Sequence, residues 1–243
     1  MIDLHCHILP GLDDGAENFE EALAMAAIAA GHGMRHIVAT PHCVSGGAWD
    51  VLESVTMLQE LLDDERIPVR LHPGMEIFGT YETARFLRER KLLTINNSRY
   101  PLIEFAFHTD GEEETGILQS VIDAGYTPVV AHPERYSYVC QEPALINRWK
   151  KMGCLFQVNR GSLLGRYGYS AQRMGLALVR RGFAAAIATD AHSPVMRTPR
   201  ARDVYDLLSY NISPAAAEML METNPGWIMN DRRLPPAKPD WFE

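Results

Sequence analysis

Seven short apolar runs rich in β-forming residues recur along the chain, and amphipathic stretches with helical periodicity lie between several of them. The predicted strands cover residues 2–7, 36–40, 70–75, 102–105, 128–131, 155–158 and 185–189. The predicted helices cover residues 19–30, 51–62, 116–124 and 171–181. Strands that alternate with helices indicate βα units and a parallel sheet. In a chain of 243 residues, about seven strands favour one α/β barrel domain over residues 1–243 rather than a short open sheet.

Composition sets limits on function and location. The formal net charge of −8 argues against a surface for duplex nucleic acid, where basic clusters supply most of the affinity. No apolar run approaches the ~18 residues of a membrane span, and Asp3, His5 and His7 interrupt the start of the chain. We therefore expect no membrane insertion, no signal peptide and a cytoplasmic location. The four cysteines are widely spaced, which favours reduced thiols, and the proline-rich tail at 234–239 is expected to lie along the surface.

Two histidines in the first predicted strand, His5 and His7, are the clearest chemical signal near the start of the chain. Side chains alternate faces along a strand, so both imidazoles point the same way and can bind one metal ion. Asp3 lies on the same face, where it is expected to orient the two rings. Because an HxH pair alone is nonspecific, the case for a metal depends on residues further along the chain.

Carboxylates and histidines recur at or after the C-terminal ends of the predicted strands. These candidate ligands are Asp14, His42, Glu76, Glu104, His132, Asp190 and His192. In α/β barrels all these strand ends open on one face, where active sites are built. Glu76 and Glu104 lie in apolar contexts, and a buried carboxylate is costly unless it is paired or bound to a metal. The sequence therefore predicts a polynuclear metal site on this face.

Several polar residues also have simpler interpretations. Asp13-Asp14-Gly15 is typical of a turn, and His132-Pro133-Glu134-Arg135 is typical of the first turn of a helix. His36 and His72 fall at strand entrances, at the opposite end from the predicted site, while His108 is a weaker candidate for lining it. Loop packing is the favoured interpretation for five aromatic residues that could instead flank an aromatic leaving group at the rim: Trp49, Tyr81, Phe107, Tyr136 and Tyr138.

One motif suggests a different mechanism. Cys154 and Arg160 have the C-x5-R spacing of thiol-based tyrosine phosphatases. Those enzymes need a glycine-rich, phosphate-binding loop that starts at a low-pKa cysteine. Here the intervening residues are Leu, Phe, Gln, Val and Asn, which indicate a buried strand. Cys154 is therefore predicted to be a core residue, although the segment 160–162, at the end of this strand, could still contact a ligand.

The ordered set of motifs resembles the polymerase and histidinol phosphatase (PHP) family, and within it the bacterial metal-dependent protein-tyrosine phosphatases of capsule and exopolysaccharide loci. The resemblance runs through nearly the whole chain in the family's order. The matching segments are 2–15 with the sequence IDLHCHILPGLDDG, 39–42 with ATPH, 73–76 with PGME, 103–104 with IE, 131–135 with AHPER, 159–162 with NRGS, 189–192 with TDAH, and 224–225 with NP.

This resemblance implies a distorted (β/α)7 barrel with three divalent ions at its C-terminal face. One ion would be held by His5, His7, Glu76 and Asp190. Glu76 would bridge to a second ion held with Glu104 and His132, and the third would be held by Asp14, His42 and His192. Arg135 and Arg197 would grip the phosphate, so that the catalytic groups are Arg135, Arg197, Asp190 and His192. The mixed ligand set suits Mn best, with Fe, Zn, Co or Mg as alternatives.

The resemblance also implies hydrolysis of phosphotyrosine on a bacterial tyrosine kinase that controls polysaccharide export. Three alternatives stay open from the sequence: a histidinol phosphatase or other small-molecule phosphatase, a relative of polymerase-associated nucleases, and a metal-binding module without catalytic activity. One departure is Cys43, where family members often carry a second histidine after the Thr-Pro-His motif. This difference leaves the ligand set intact and affects only the loop beside it.

Overall fold

Nine strands form the centre of the computed structural model, which describes residues 1–43, 46–236 and 238–243. The strands are β1 (Ile2–Cys6), β2 (His36–Ala39), β3 (His42–Cys43), β4 (Arg70–Pro73), β5 (Glu76–Phe78), β6 (Leu102–Glu104), β7 (Val129–Ala131), β8 (Leu155–Asn159) and β9 (Ala184–Ala188). One sheet has the order β1-β2-β4, and the other has the order β3-β5-β6-β7-β8-β9. The neighbouring strands pair in parallel, as the alternating pattern predicts.

Helices follow or separate most of the strands. They are α1 (Phe19–Gly31), α2 (Ala48–Asp64), α3 (Thr83–Arg88), α4 (Glu112–Asp123), α5 (Ser137–Gln141), α6 (Ala144–Met152), α7 (Arg160–Leu163), α8 (Tyr169–Arg180), α9 (Arg202–Asn211), α10 (Pro214–Glu218) and α11 (Asn224–Met229). Short 3₁₀ turns lie at Ile95–Asn97 and Pro133–Arg135, and a π-helical turn at Met219–Thr223 joins α10 to α11. The described residues contain no helix that is both long and apolar enough to cross a membrane.

All seven predicted strands are present, but two of them continue after a bend as a second strand. Pro41 separates β2 from β3, since a proline has no N–H to donate to the ladder. Gly74 separates β4 from β5, and a Cβ there would lie 2.7 Å from Val38 Cγ1. These bends bring His42 and Glu76, the first residues of β3 and β5, into direct register. The sequence pattern missed β3 and β5 because each is only two or three residues long.

The last strand lies beside the first, so the two sheets are connected at a second place. An isolated parallel bridge joins Cys6 to Ala191. The amide of Asp190 donates to the His5 carbonyl at 2.9 Å, and the amide of His7 donates to the Ala191 carbonyl at 2.8 Å. The C-terminal ends of β1 and β9 therefore meet, as a barrel requires, whereas complete closure and a single domain over 1–243 stay predictions.

The strands divide their side chains between the apolar core and the polar cleft. In β8, Phe156 and Val158 pack in the large apolar cluster against the helices. Gln157 and Asn159, at the alternate positions, are fully buried but bond to polar groups of the cleft. The tail follows the surface as predicted at 234–236 and 238, where the residues are exposed or half-buried, but Pro239 is buried, and Ala237 lies outside the described residues.

Candidate metal centre

All nine predicted ligands lie together at the C-terminal ends of the strands. Three overlapping groups of donor atoms, each with its atoms within 4.8 Å of one another, contain eight of them: His5, His7, Glu76 and Asp190; His7, Asp14, His42 and His192; and His42, Glu76 and Glu104. The ninth, His132, bonds Glu76 Oε1 through Nε2 at 2.7 Å. The sheet order therefore brings residues from β1, β3, β5, β6 and the ends of β7 and β9 to one cleft.

The central group has a geometry that hydrogen bonding does not explain. His5 Nε2 and His7 Nε2 lie 3.1 Å apart and can share at most one proton. Both nitrogens also lie about 3 Å from Glu76 Oε2, at 3.0 and 3.1 Å. Yet Glu76 Oε2 is buried without a hydrogen-bond partner among the described residues. A cation at the point where these atoms converge would satisfy all of them, so the donor set fits a metal ion.

The outer ring nitrogens of three histidines are each held by an acceptor. His7 Nδ1 lies 2.6 Å from Asp13 Oδ2, and His5 Nδ1 lies 2.9 Å from Gln157 Oε1. His192 Nδ1 lies 3.1 Å from the backbone carbonyl of Asp190. Because each Nδ1 donates its proton outward, each Nε2 presents a lone pair to the cleft. This tautomer is the one that ligates a metal through Nε2.

His42 connects the inner and outer parts of the cluster. Its Nδ1 lies 3.1 Å from Glu76 Oε2 and 2.8 Å from Glu104 Oε1, while its Nε2 lies 3.5 Å from Asp14 Oδ1. Asp14 Oδ1 also lies 3.4 Å from His192 Nε2. Glu104 thus contacts His42, while His132 contacts the other oxygen of Glu76, and the expected sharing of one ion by Glu76, Glu104 and His132 stays a prediction. The register of β3 on β5 places His42 opposite Glu76.

The carboxylates and His192 have protonation states that suit metal binding, whereas Glu76 and Asp190 raise the pKa of His5 and His7 against the effect of burial. A metal ion that binds these two imidazoles would therefore displace a proton. Burial opposes charge on Glu76, but His5 and hydrogen bonds from the imidazoles hold the pKa of this carboxyl well below its usual range. Burial also opposes charge on Asp190, but His5 and Arg197 lower its pKa. Burial and the neighbouring His7 lower the pKa of His192 to about 3. Ionised carboxylates and neutral imidazoles are the forms that ligate a cation.

Three residues that support the ligands, Asp13, Gln157 and Asn159, were assigned no such role from the sequence. Asp13 binds His7, and its Oδ2 also accepts from the His42 amide at 2.9 Å, so one carboxylate fixes two ligand positions. Gln157 bonds His5 and also donates to Asn159, whose Nδ2 donates to Asp190 Oδ2 at 2.5 Å. Gln157 and Asn159 were detectable as polar residues at alternate positions of a buried strand. Asp13 was not, because its sequence context is also that of a plain turn.

The predicted role of Asp3 was wrong in detail. Its carboxylate does not contact an imidazole; it accepts from the Thr189 amide at 3.0 Å, the Thr189 hydroxyl at 2.5 Å and the His5 amide at 3.3 Å. Asp3 thus fixes the backbone on either side of the β1–β9 contact.

Three residues of the cleft have a positive φ: 50° at Asp190, 34° at His132 and 47° at Arg197. Such strained backbone in non-glycine residues is concentrated at functional sites.

Arg135 and Arg197 both reach the cluster. Arg135 NH1 lies 3.1 Å from Asp190 Oδ2, and Arg197 NH2 lies 2.6 Å from Asp190 Oδ1. Both side chains are partly exposed, and the buried Nε of Arg197 has no acceptor among the described residues. Two guanidinium groups beside the metal ligands, one with an available donor, are suited to binding an anion.

Neither Cys154 nor Arg160, the two ends of the C-x5-R motif, contributes a side chain to the metal-binding cleft. Cys154 is fully buried, and burial raises the pKa of its thiol to about 12, so the prediction of an inert core residue is consistent with the structure. Arg160 does not face a ligand; its guanidinium pairs with Asp203, Nε to Oδ1 at 2.8 Å, and reaches the Thr198 carbonyl at 3.3 Å. Arg160 therefore fastens the loop that carries Arg197 to α9.

Of the other candidates, His36 and His72 contact each other at 3.0 Å at the strand entrances, away from the cleft as predicted. His108 bonds Ser137 at 3.0 Å instead of a ligand carboxylate. Tyr136 and Tyr138 are buried in the core, in line with loop packing, whereas Phe107 is partly exposed beside Arg135. Trp49 and Tyr81 are exposed.

The fold and the donor cluster define a parallel α/β protein with a metal-binding centre at the C-terminal ends of its strands. The sequence profile of the family described as Capsular polysaccharide synthesis, CpsB/CapC, matches residues 1–230. The chain belongs to this family, and the resemblance seen in the sequence motifs is confirmed.

Curated relatives align over most of their lengths. Tyrosine-protein phosphatase YwqE of Bacillus subtilis is 34% identical over 226 residues, which cover 91% of this chain and 89% of the relative. Tyrosine-protein phosphatase CpsB of Streptococcus pneumoniae is 28% identical over 243 residues, which cover 96% and 100%.

Solved structures extend the comparison. A crystal structure from a study of YwqE and CpsB, described there as metal-dependent tyrosine phosphatases, superposes with a TM-score of 0.94 at 31% identity over the full length of both chains. A D-hydantoinase superposes with a TM-score of 0.53 at 11% identity and covers 90% of this chain and 68% of its own. This second likeness concerns the fold alone.

Proposed function

We propose that the protein is a metal-dependent protein-tyrosine phosphatase, a phosphoric monoester hydrolase. The observation that carries this proposal is the convergence of the Nε2 atoms of His5 and His7 on Glu76 Oε2, which has no hydrogen-bond partner in the described parts of the chain, with two arginines beside them. The relatives named above, which are tyrosine-protein phosphatases, support the same activity.

The proposed ligands are the nine side chains of the cluster: His5, His7, Asp14, His42, Glu76, Glu104, His132, Asp190 and His192. Three divalent ions, with Mn favoured over Fe, Zn, Co and Mg, would be held by His5, His7, Glu76 and Asp190, by Glu76, Glu104 and His132, and by Asp14, His42 and His192. Such ions lower the pKa of bound water and neutralise charge on a transferring phosphoryl group. The two ring nitrogens of His42 face different carboxylates, and as a neutral imidazole it would offer its one lone pair to a single ion.

The protein's own groups would bind and orient the phosphate. The planar forks of Arg135 and Arg197 can each offer two donors to phosphate oxygens, where negative charge accumulates during phosphoryl transfer. Their contacts with Asp190 hold both guanidinium groups at the edge of the metal cluster before substrate arrives. The tyrosine leaving group has a pKa of about 10, so it needs less help from a general acid than an alkyl alcohol does.

The proposed substrate is a phosphotyrosine protein, in particular the tail of an autophosphorylating bacterial tyrosine kinase of capsule or exopolysaccharide synthesis. The family description and the names of the relatives support a link to capsule synthesis. This dephosphorylation would take place in the cytoplasm, where kinases that use ATP phosphorylate tyrosine.

The test is phosphate release from a neutral phosphotyrosine peptide by the purified protein, before and after chelation, with metal content measured by mass spectrometry. We expect about three ions per chain when Mn²⁺ is supplied, loss of turnover after chelation and recovery on reloading. Turnover that survives removal of the metal would contradict the metal-dependent mechanism, and a metal-loaded protein that cleaves no phosphotyrosine would contradict the proposed activity.

A further inference from the structure

A cavity of about 690 Å³ opens beside Arg135, outside the metal cluster. Its walls come from the segment after β6, from α5 and from the start of α8, and they include Phe107, His108, Arg135, Cys140, Tyr167 and Arg173. A cavity of this volume is large enough to bind a small ligand or one or two side chains of a peptide. None of the nine proposed metal ligands lines the cavity.

Arg135 forms the border between this cavity and the metal cluster. The centre of its guanidinium lies 4.7 Å from the centroid of the Phe107 ring and 4.4 Å from that of the Tyr167 ring. Arg135 therefore makes cation–π contacts with both rings. Its NH1 meanwhile faces Asp190 at 3.1 Å. A phosphate held by Arg135 would therefore lie at the inner end of the cavity. Substrate residues next to the phosphotyrosine could then extend into the cavity.

Two arginines, Arg135 and Arg173, line the cavity in a protein of net charge −8. Arg173 is exposed at its edge, and within the described part of the chain no carboxylate forms an ion pair with it. The one carboxyl group of the lining, Glu134, is fully buried, and its Oε1 accepts from the Asn159 amide at 2.9 Å. The helix that carries Arg173, α8, contains no aspartate or glutamate, so the local charge is not compensated on that face.

We propose that this cavity is a second subsite of the phosphatase, which binds an anionic side chain close to the phosphotyrosine through Arg173. The inference rests on the proposed function and adds a substrate preference to it. Two sources supply the required chemistry: a carboxylate of Asp or Glu, and the phosphate of a second phosphotyrosine. The second source carries about −1.5 to −2 charges, and its ring could also pack against Phe107 or Tyr167.

The test compares kcat/KM for three phosphotyrosine peptides of equal length: one with neutral flanks, one with glutamates within two residues of the phosphotyrosine, and one with a second phosphotyrosine there. The variants are Arg173→Glu and, as a matched control, Arg180→Glu. Arg180 lies on the same helix seven residues further on, about 10 Å along the axis. Arg180→Glu changes the net charge of the protein by the same amount as Arg173→Glu. p-Nitrophenyl phosphate serves as a substrate without flanking groups.

We expect the wild-type protein to prefer at least one anionic peptide over the neutral one by about 3- to 10-fold, mainly through KM. Arg173→Glu should abolish or reverse this preference and leave the neutral peptide and p-nitrophenyl phosphate within about twofold, whereas Arg180→Glu should retain it. The identity of the preferred peptide distinguishes a carboxylate from a phosphate subsite.

Two results would overturn the subsite. One is equal kcat/KM for all three peptides in the wild-type protein, and the other is a preference that survives Arg173→Glu or is lost equally in Arg180→Glu. Failure of the proposed function gives a different result, since no phosphotyrosine peptide would then be hydrolysed at all.

Discussion

Substitution of Asp13 by asparagine tests how the metal centre is held together. The Asp13 side chain is only 5% exposed, and its carboxylate accepts from His7 Nδ1 at 2.6 Å, the His42 amide at 2.9 Å and the Gly15 amide at 2.9 Å. Burial opposes protonation of His7, but the hydrogen bond to Asp13, together with Glu76, raises the pKa of this imidazole to about 10. Asparagine keeps the shape of the side chain and removes its charge, so the Nε2 of His7 becomes a weaker base and a weaker ligand.

The magnitude follows from the lost interaction. A hydrogen bond to a charged group contributes about 1.5–3 kcal/mol, which corresponds to roughly 10- to 100-fold in metal affinity. The assay is phosphatase activity against free Mn²⁺ concentration, with the melting temperature as a check on folding. Asp110→Asn is the matched control, because Asp110 also accepts from a backbone amide, that of Glu112 at 3.1 Å, but belongs to none of the three donor groups. An unchanged Mn²⁺ requirement in folded Asp13→Asn would refute the reasoning.

Three further substitutions test separate parts of the account. His132→Ala should abolish turnover without unfolding the chain, as kcat and circular dichroism would show, while His36→Ala, at the strand entrances, should retain most activity. A metal-loaded His132→Ala protein at near-normal rates would remove His132 from the centre. Arg135→Ala should lower kcat/KM for phosphoesters by roughly 10- to 100-fold, because a charge-assisted contact to phosphate is lost, and unchanged kinetics would exclude Arg135 from phosphate binding. Cys154→Ser should remain active in the same assay, since the thiol is buried and its pKa is raised; a folded but inactive variant would support a thiol mechanism instead.

The fold was largely predictable because its signals are local and repeated. Each predicted strand is a run of apolar residues, and each long helix shows a periodic apolar face, so the parallel α/β arrangement followed from alternation alone. The short helices α3, α5, α7, α10 and α11 were not predictable in this way, since one or two turns display no clear period, and α6 and α9, of 9 and 10 residues, were missed as well. The bends at Pro41 and Gly74 were missed as well, although both residues are typical breaks in a strand.

The candidate site was predictable in its members and less so in its pairing. The nine ligand positions could be selected because each polar residue falls at or after a strand end, where parallel strands meet on one face. Which donor faces which depends on register: the β3–β5 register places His42 opposite Glu76, and His42 Nδ1 also lies 2.8 Å from Glu104 Oε1. The residues that orient the ligands, such as Asp13 and Gln157, act through contacts that are remote in sequence or ambiguous in context.

The most direct test of the central claim is kcat/KM of the Mn-loaded protein for a tyrosine-phosphorylated peptide and for histidinol phosphate, measured side by side. The proposed phosphatase should strongly favour the peptide. A ratio that favours histidinol phosphate would contradict that function and would assign the same fold and donor cluster to a small-molecule phosphatase.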